Sequence, residues 1–140
     1  MENPIKFSKA YPLNILIAEP YHDSRSSAHD VLIQLGYQPE LATSSREMLN
    51  MAGQKFYDVI LVDTRMPEAE DVLVTCRNES DSRRPIFIAM TMSGRTNLKE
   101  MYLCEGMDHS ISKPVDPVEL SLQLMACSVL TGNRRIRAAS

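Results

Sequence analysis

Four consecutive apolar residues, Val59-Ile60-Leu61-Val62, end abruptly at Asp63, after which the chain continues Thr64-Arg65-Met66-Pro67. A strand buried on one face alternates apolar with polar residues. An unbroken apolar run, mostly β-branched, instead reads as a strand covered on both faces, as in a parallel sheet held between helical layers. The carboxylate at its end then sits where the sheet opens to solvent, the edge at which open α/β sheets gather their ligands. Two other segments share this form: Ile15 to Ala18 runs into Glu19, and Pro85 to Met90 runs into Thr91. A fourth apolar position, Ile111, is followed by Lys113-Pro114. Two carboxylates, a hydroxyl and an ammonium are therefore expected to meet at the carboxyl edge of one sheet.

The intervening segments carry helical patterns. Asp23 is a candidate cap, and Ala28, Val31, Leu32 and Leu35 recur at helical spacing until Gly36 stops the helix. Residues 38–42 form a short second strand, Ser44 or Ser45 caps a helix running to about Gly53, and Tyr57 leads into the third strand. Further helices are predicted over 70–78, 97–105 and 116–130, the last capped by Asp116, with a fifth strand over 108–112. Pro85 opens the fourth strand, where its missing donor is harmless. Strands alternating with helices, joined by right-handed crossovers, require an α/β fold: a five-stranded doubly wound parallel sheet flanked by five helices.

A chain of 140 residues suits one domain. Residues 1–13 read as an N-terminal extension, 14–131 as the domain and 132–140 as a basic C-terminal tail or linker. With 44% apolar and 24% charged residues the composition is that of a globular protein, excluding disorder and a disulfide scaffold. Arg134, Arg135 and Arg137 lie in the tail; without these three of the 15 basic residues, 12 face 18 acidic ones and the body carries −6. That charge disfavours direct nucleic-acid binding by the domain. Cys76, Cys104 and Cys127 sit in apolar contexts and read as reduced, buried thiols. His22, His29 and His109 share no metal-ligand spacing, and the nine methionines are scattered as core filler. The chain shows neither the apolar core of a signal peptide nor a run approaching a membrane span, so the expected compartment is the cytoplasm.

Glu19, Asp63, Thr91 and Lys113 together suit phosphoryl chemistry: a carboxylate serves as nucleophile, while a hydroxyl and an ammonium hold the transferred group's oxygens. On these residues the chain resembles the receiver domain of two-component response regulators. The stretches that carry the resemblance are Ile15 to Glu19, Tyr57 to Pro67, Pro85 to Thr91 and Gly106 to Pro114, in the family's order and separations, within residues 14 to about 130. The resemblance implies a flavodoxin-like α/β sandwich. It makes Asp63 the phosphoacceptor and, with the Arg65 backbone carbonyl, a metal ligand, Glu19 a member of the acidic pair near magnesium, Thr91 the switch hydroxyl, and Lys113 the phosphate-binding lysine. It also implies a signalling module rather than an enzyme. A histidine kinase or phosphotransfer protein would supply the phosphoryl group, and the face made by the fourth helix, fifth strand and fifth helix would meet an output domain, a partner protein or a second copy.

The pattern also departs from the family. Pro20 stands where a second carboxylate usually binds the metal directly, so magnesium binding is expected to be weakened or lost. Asp23 is near enough to substitute, although capping is its expected use. Met92 replaces the usual small residue after the switch hydroxyl, and Ser110 replaces the aromatic that commonly follows the switch motion. Glu70 and Asp71 place extra negative charge at a helix start. The Arg65 guanidinium has two courses: to lie against Asp63 or Glu19 in place of the cation, or to point into solvent. These departures support a rival reading, a phosphorylation-independent pseudo-receiver acting as a protein-protein interaction module. A flavodoxin-like enzyme or nucleotide binder is a weaker third, since Glu19-Pro20-Tyr21-His22 follows the first strand instead of a Gly-rich phosphate loop.

Overall fold

The computed structural model describes residues 6–20, 26–68, 71, 74, 84–91 and 106–139. In chain order these form α1 (Phe7–Ala10), β1 (Ile15–Ala18), α2 (Ser26–Gln34), β2 (Glu40–Ala42), α3 (Ser45–Gln54), β3 (Val59–Asp63), β4 (Ile86–Thr91), β5 (His109–Ser112) and α4 (Pro117–Ala139). The predicted helices over 70–78 and 97–105 lie outside the described residues, although Asp71, Val74 and Gly106 are helical. So do Asp23, His22, Cys76, Met92 and Cys104.

The five strands form one parallel sheet in the order β2-β1-β3-β4-β5. From β1 the chain moves outward to β2, then returns past β1 to place β3 on its other side. The strand order therefore reverses between β1 and β3, which puts the switch point beside the ends of those two strands. Alternate side chains along each strand meet different helical layers. Ile15, Ile17, Val59, Leu61, Ile86 and Ile88 pack with Ala28, Val31 and Leu32 of α2 and with Leu120, Leu124 and Cys127 of α4. Leu16, Ala18, Ile60, Val62, Phe87 and Ala89 pack in a second cluster with Met48 of α3, Met66 and Met107. Both sides of β3 are thus dry, which is why its sequence shows no polar alternation.

Helix caps follow local chemistry. The Ser44 hydroxyl accepts from the Glu47 backbone N–H at 3.1 Å and starts α3. Ser44→Ala is expected to lower stability by about 1 kcal/mol in urea unfolding, with an unchanged denaturant slope. Asp116 accepts from the Val118 N–H at 3.3 Å at the start of α4.

The structure adds detail at both ends of the chain. Within the N-terminal extension, residues 6–13 contain α1 and lie on the domain: the Ser8 N–H donates to the Leu35 carbonyl, the Tyr37 hydroxyl donates to the Tyr11 carbonyl at 2.6 Å, and Phe7 packs against the core. Gly36, at φ +97°, makes the close approach that seats Lys6 and Ser8 against the end of α2. At the other end, α4 does not stop at residue 130 as predicted but runs for 23 residues to Ala139. A single glycine, Gly132, does not break a helix whose flanking arginines and alanines favour it. Among the described residues, no helix is long and apolar enough to cross a membrane.

Candidate functional site

The carboxyl ends of β1, β3, β4 and β5 converge as expected. Glu19 follows β1, is 2% exposed, and is anchored by its own N–H to the Ala42 carbonyl of β2 at 2.9 Å. Asp63 ends β3 and is 1% exposed; its carbonyl accepts from the Met66 N–H at 3.0 Å, closing the turn that carries Arg65. Thr91 ends β4, fully buried, with its hydroxyl directed to the Ile111 carbonyl at 3.4 Å. Lys113 lies just beyond β5, and its backbone N–H donates to the Thr91 carbonyl at 2.8 Å, fixing it beside the neighbouring strand end. The peptide bond from Lys113 to Pro114 is cis.

Lys113 ties the two carboxylates together. Its Nζ donates to Glu19 Oε1 and, at 2.9 Å, to Asp63 Oδ2. Arg65 completes the group from the other side. Its backbone N–H and Nε donate to Asp63 Oδ1 at 2.8 and 3.1 Å, and its Nη2 donates to Oδ2 at 2.8 Å. Of the two courses open to Arg65 in the sequence, the chain takes the fork on Asp63. Each Asp63 oxygen thereby accepts two hydrogen bonds, the full acceptor capacity of a carboxylate.

Burial by itself raises the Asp63 pKa, but it is outweighed by hydrogen bonds from the Arg65 and Lys113 side chains, the Arg65 backbone N–H and the Lys113 charge. The carboxyl therefore lies below its ordinary value. It is ionised at neutral pH, as a nucleophile must be. Among the described residues the site is formally balanced, with two carboxylates against two cations, and graded in access. The side chains of Glu19, Asp63 and Lys113 are 0%, 2% and 8% exposed, while Arg65 on the rim is 32% exposed. Pro20, beside Glu19, brings no side-chain oxygen. Among the described residues, no group of three or more His, Cys, Asp or Glu side chains is arranged to hold a metal ion.

One contributor escaped the sequence reading. Thr64 is 1% exposed, and both its N–H and its hydroxyl donate to the Met90 carbonyl, at 3.1 and 3.3 Å, locking the exit of β3 to β4. Its only signal was a small β-branched residue directly after the strand-terminal carboxylate. Ser110, on β5 opposite Ala89, is partly buried, and its carbonyl accepts from Gln123 Nε2 at 3.3 Å.

Residues 15–125 match the Response regulator receiver domain family. The chain belongs to this family. Histidine protein kinase 1 of Candida albicans is 31% identical over 130 residues, covering 84% of this chain and 5% of the kinase. Sensor histidine kinase RcsC of Escherichia coli (strain K12) is 30% identical over 114 residues, covering 80% of this chain and 12% of the kinase. The receiver domain described here thus spans between 5% and 12% of the length of these relatives. Among solved structures, the receiver domain of sensor histidine kinase PA1611 from Pseudomonas aeruginosa PAO1 superposes with a TM-score of 0.72 at 25% identity, covering 83% of this chain and 97% of that one; a magnesium ion is coordinated in its active site cleft. The receiver domain of Saccharomyces cerevisiae Ssk1, solved with the histidine phosphotransfer protein Ypd1, shares the fold at a TM-score of 0.68 and 18% identity, covering 84% of this chain and 90% of that one. This chain is therefore a receiver domain of phosphorelay signalling, homologous to the receiver domains within hybrid histidine kinases.

Proposed function

We propose that this receiver accepts a phosphoryl group on Asp63 from the phosphohistidine of a histidine kinase or phosphotransfer protein, and answers by reshaping a partner-binding face. The observation that carries this reading is the contact of Lys113 with Asp63, supplied by strand ends 50 residues apart, with Thr91 at the strand end between them. In the reaction, a carboxylate oxygen of Asp63 attacks phosphorus, the P–N bond to histidine breaks, and an acyl phosphate P–O bond forms while the histidine nitrogen takes the electron pair. Arg65, at the rim, swings aside to free the attacking lone pair. The Lys113 ammonium stays to meet the phosphoryl oxygens, and Thr91 turns its hydroxyl from the Ile111 carbonyl toward them. Among the described residues the donor set does not fit a magnesium centre, so no step passes through a metal.

A phosphoryl group carries about −1.5 to −2 charge at neutral pH, enough to favour an arrangement in which Thr91 and Lys113 close on it. Lys113 lies between β5 and α4, and Thr91 is bonded to both β5, through the Ile111 carbonyl, and Lys113, through its N–H, so their movement is transmitted to that face. There Val118, Leu122 and Val129 are 64%, 59% and 62% exposed, an apolar stripe suited to an output domain, a partner protein or a second copy. The domain itself acts as a switch and not as an enzyme.

The test is incubation of the full chain with a phosphorylated histidine phosphotransfer protein. Covalent label on Asp63, located by mass spectrometry, is the expected result. A second reading, constitutive partner binding without phosphate, is favoured by the Arg65 fork, which occupies both Asp63 oxygens. An unlabelled chain with undiminished partner binding would select it.

A further inference from the structure

We infer that Arg65 is the resident cation of this receiver site, holding the acidic cluster in the place of a divalent metal, so that the domain keeps its site assembled without magnesium. The inference concerns the resting site and stands whether or not Asp63 is phosphorylated. It starts from geometry: the guanidinium meets Asp63 as a fork, Nε on one oxygen at 3.1 Å and Nη2 on the other at 2.8 Å, while the arginine's own N–H holds Oδ1 at 2.8 Å. Planar two-point pairing of this kind is what arginine offers a carboxylate and lysine does not. Because Arg65 lies two residues from Asp63, on a turn closed by the Met66 N–H, little chain entropy opposes the contact.

Three further facts count against a metal. Magnesium requires near-octahedral oxygen ligands at about 2.0–2.1 Å and gives up its waters reluctantly. Here Asp63 has both oxygens doubly engaged, Glu19 Oε1 is held by Lys113, and position 20 is proline. Among the described residues the local charge is already balanced, with Arg65 and Lys113 against Glu19 and Asp63. A dication entering beside Asp63 would approach two cations bonded to the same carboxylate. It must therefore displace Arg65, and it gains no replacement ligand from Pro20 in return.

The experiment is a magnesium chloride titration of the full chain, followed by the backbone amide resonances of Asp63, Arg65 and Lys113. The wild-type amides are expected to show no saturable shift through the millimolar range. Pro20→Asp combined with Arg65→Gln restores the carboxylate and removes the fork. It should tighten magnesium binding about 10-fold or more, the least that even groups behind the direct ligands contribute. Saturable sub-millimolar shifts of those amides in the wild-type chain would overturn the inference, and that measurement needs no variant to fold. A folded double variant that bound magnesium no better than wild type would overturn it equally.

Discussion

Replacing Lys113 by methionine is expected to lower the folding free energy at neutral pH by about 3 to 5 kcal/mol, the range for removing one partner from a buried ion pair. Lys113 is 8% exposed at its side chain and joins Glu19 and Asp63, at 0% and 2%. Methionine keeps the aliphatic stem, so packing changes little and the loss isolates the charge. Without the ammonium, two carboxylates with almost no access to water are left, among the described residues, with the cation of Arg65, which reaches Asp63 from the opposite side. The contrast is with exposed pairs such as Lys55 and Glu40, whose side chains are 53% and 39% exposed; their removal should cost less than about 1 kcal/mol. Urea unfolding measures both: the Lys113→Met midpoint should fall sharply at an unchanged slope. A loss no greater than that of Lys55→Met would mean the Lys113 bridge is hydrated in solution and contributes as a surface pair does.

The apolar runs were legible in the sequence because the sheet is covered on both faces. Ile15–Ala18 and Val59–Asp63 needed no alternation to be read as strands, and each pointed to the acid at its end. Topology followed from the alternation with helices, and so did the meeting of Glu19, Asp63, Thr91 and Lys113. The second strand proved shorter than 38–42, spanning Glu40–Ala42, since as an edge strand it pairs with β1 alone. What stayed hidden was tertiary in origin. Helix α1 has four residues, too few to show a period, and is held by the Leu35 carbonyl and by the rings of Tyr11 and Tyr37, at 4.8 and 6.3 Å from Phe7. Arg65 illustrates the limit at the site itself. Its spacing from Asp63 was plain, but a long side chain near a strand end reaches solvent or carboxylate equally well. The choice was made by a turn that directs the Arg65 N–H onto Asp63 Oδ1. Pro20 needed no structure, because a proline brings no side-chain oxygen wherever it lies.

Asp63→Asn separates the chemical role of this residue from its structural one. Phosphoryl incorporation should fall to background, because an amide supplies no carboxylate to attack phosphorus and forms no acyl phosphate. Structurally the change is milder than Lys113→Met. Lys113 keeps Glu19, and Arg65, 32% exposed, turns to water, so a loss of about 1 to 3 kcal/mol at pH 7 is expected. The pH dependence identifies its source. In the wild-type chain the folded-state pKa of Asp63 is lowered, so its ionisation stabilises the fold fully above the unfolded value near 3.8 and loses that effect as pH falls through the folded value. Asparagine does not titrate. The stability gap between wild type and variant should therefore hold steady from pH 7 down to about 4 and narrow below it. Urea midpoints measured for both proteins across that range decide the matter. A gap that stayed constant into acid would mean that Asp63 is not held ionised by Arg65 and Lys113. Lost labelling with a narrowing gap would mean that one carboxylate serves both as acceptor and as anchor for two cations.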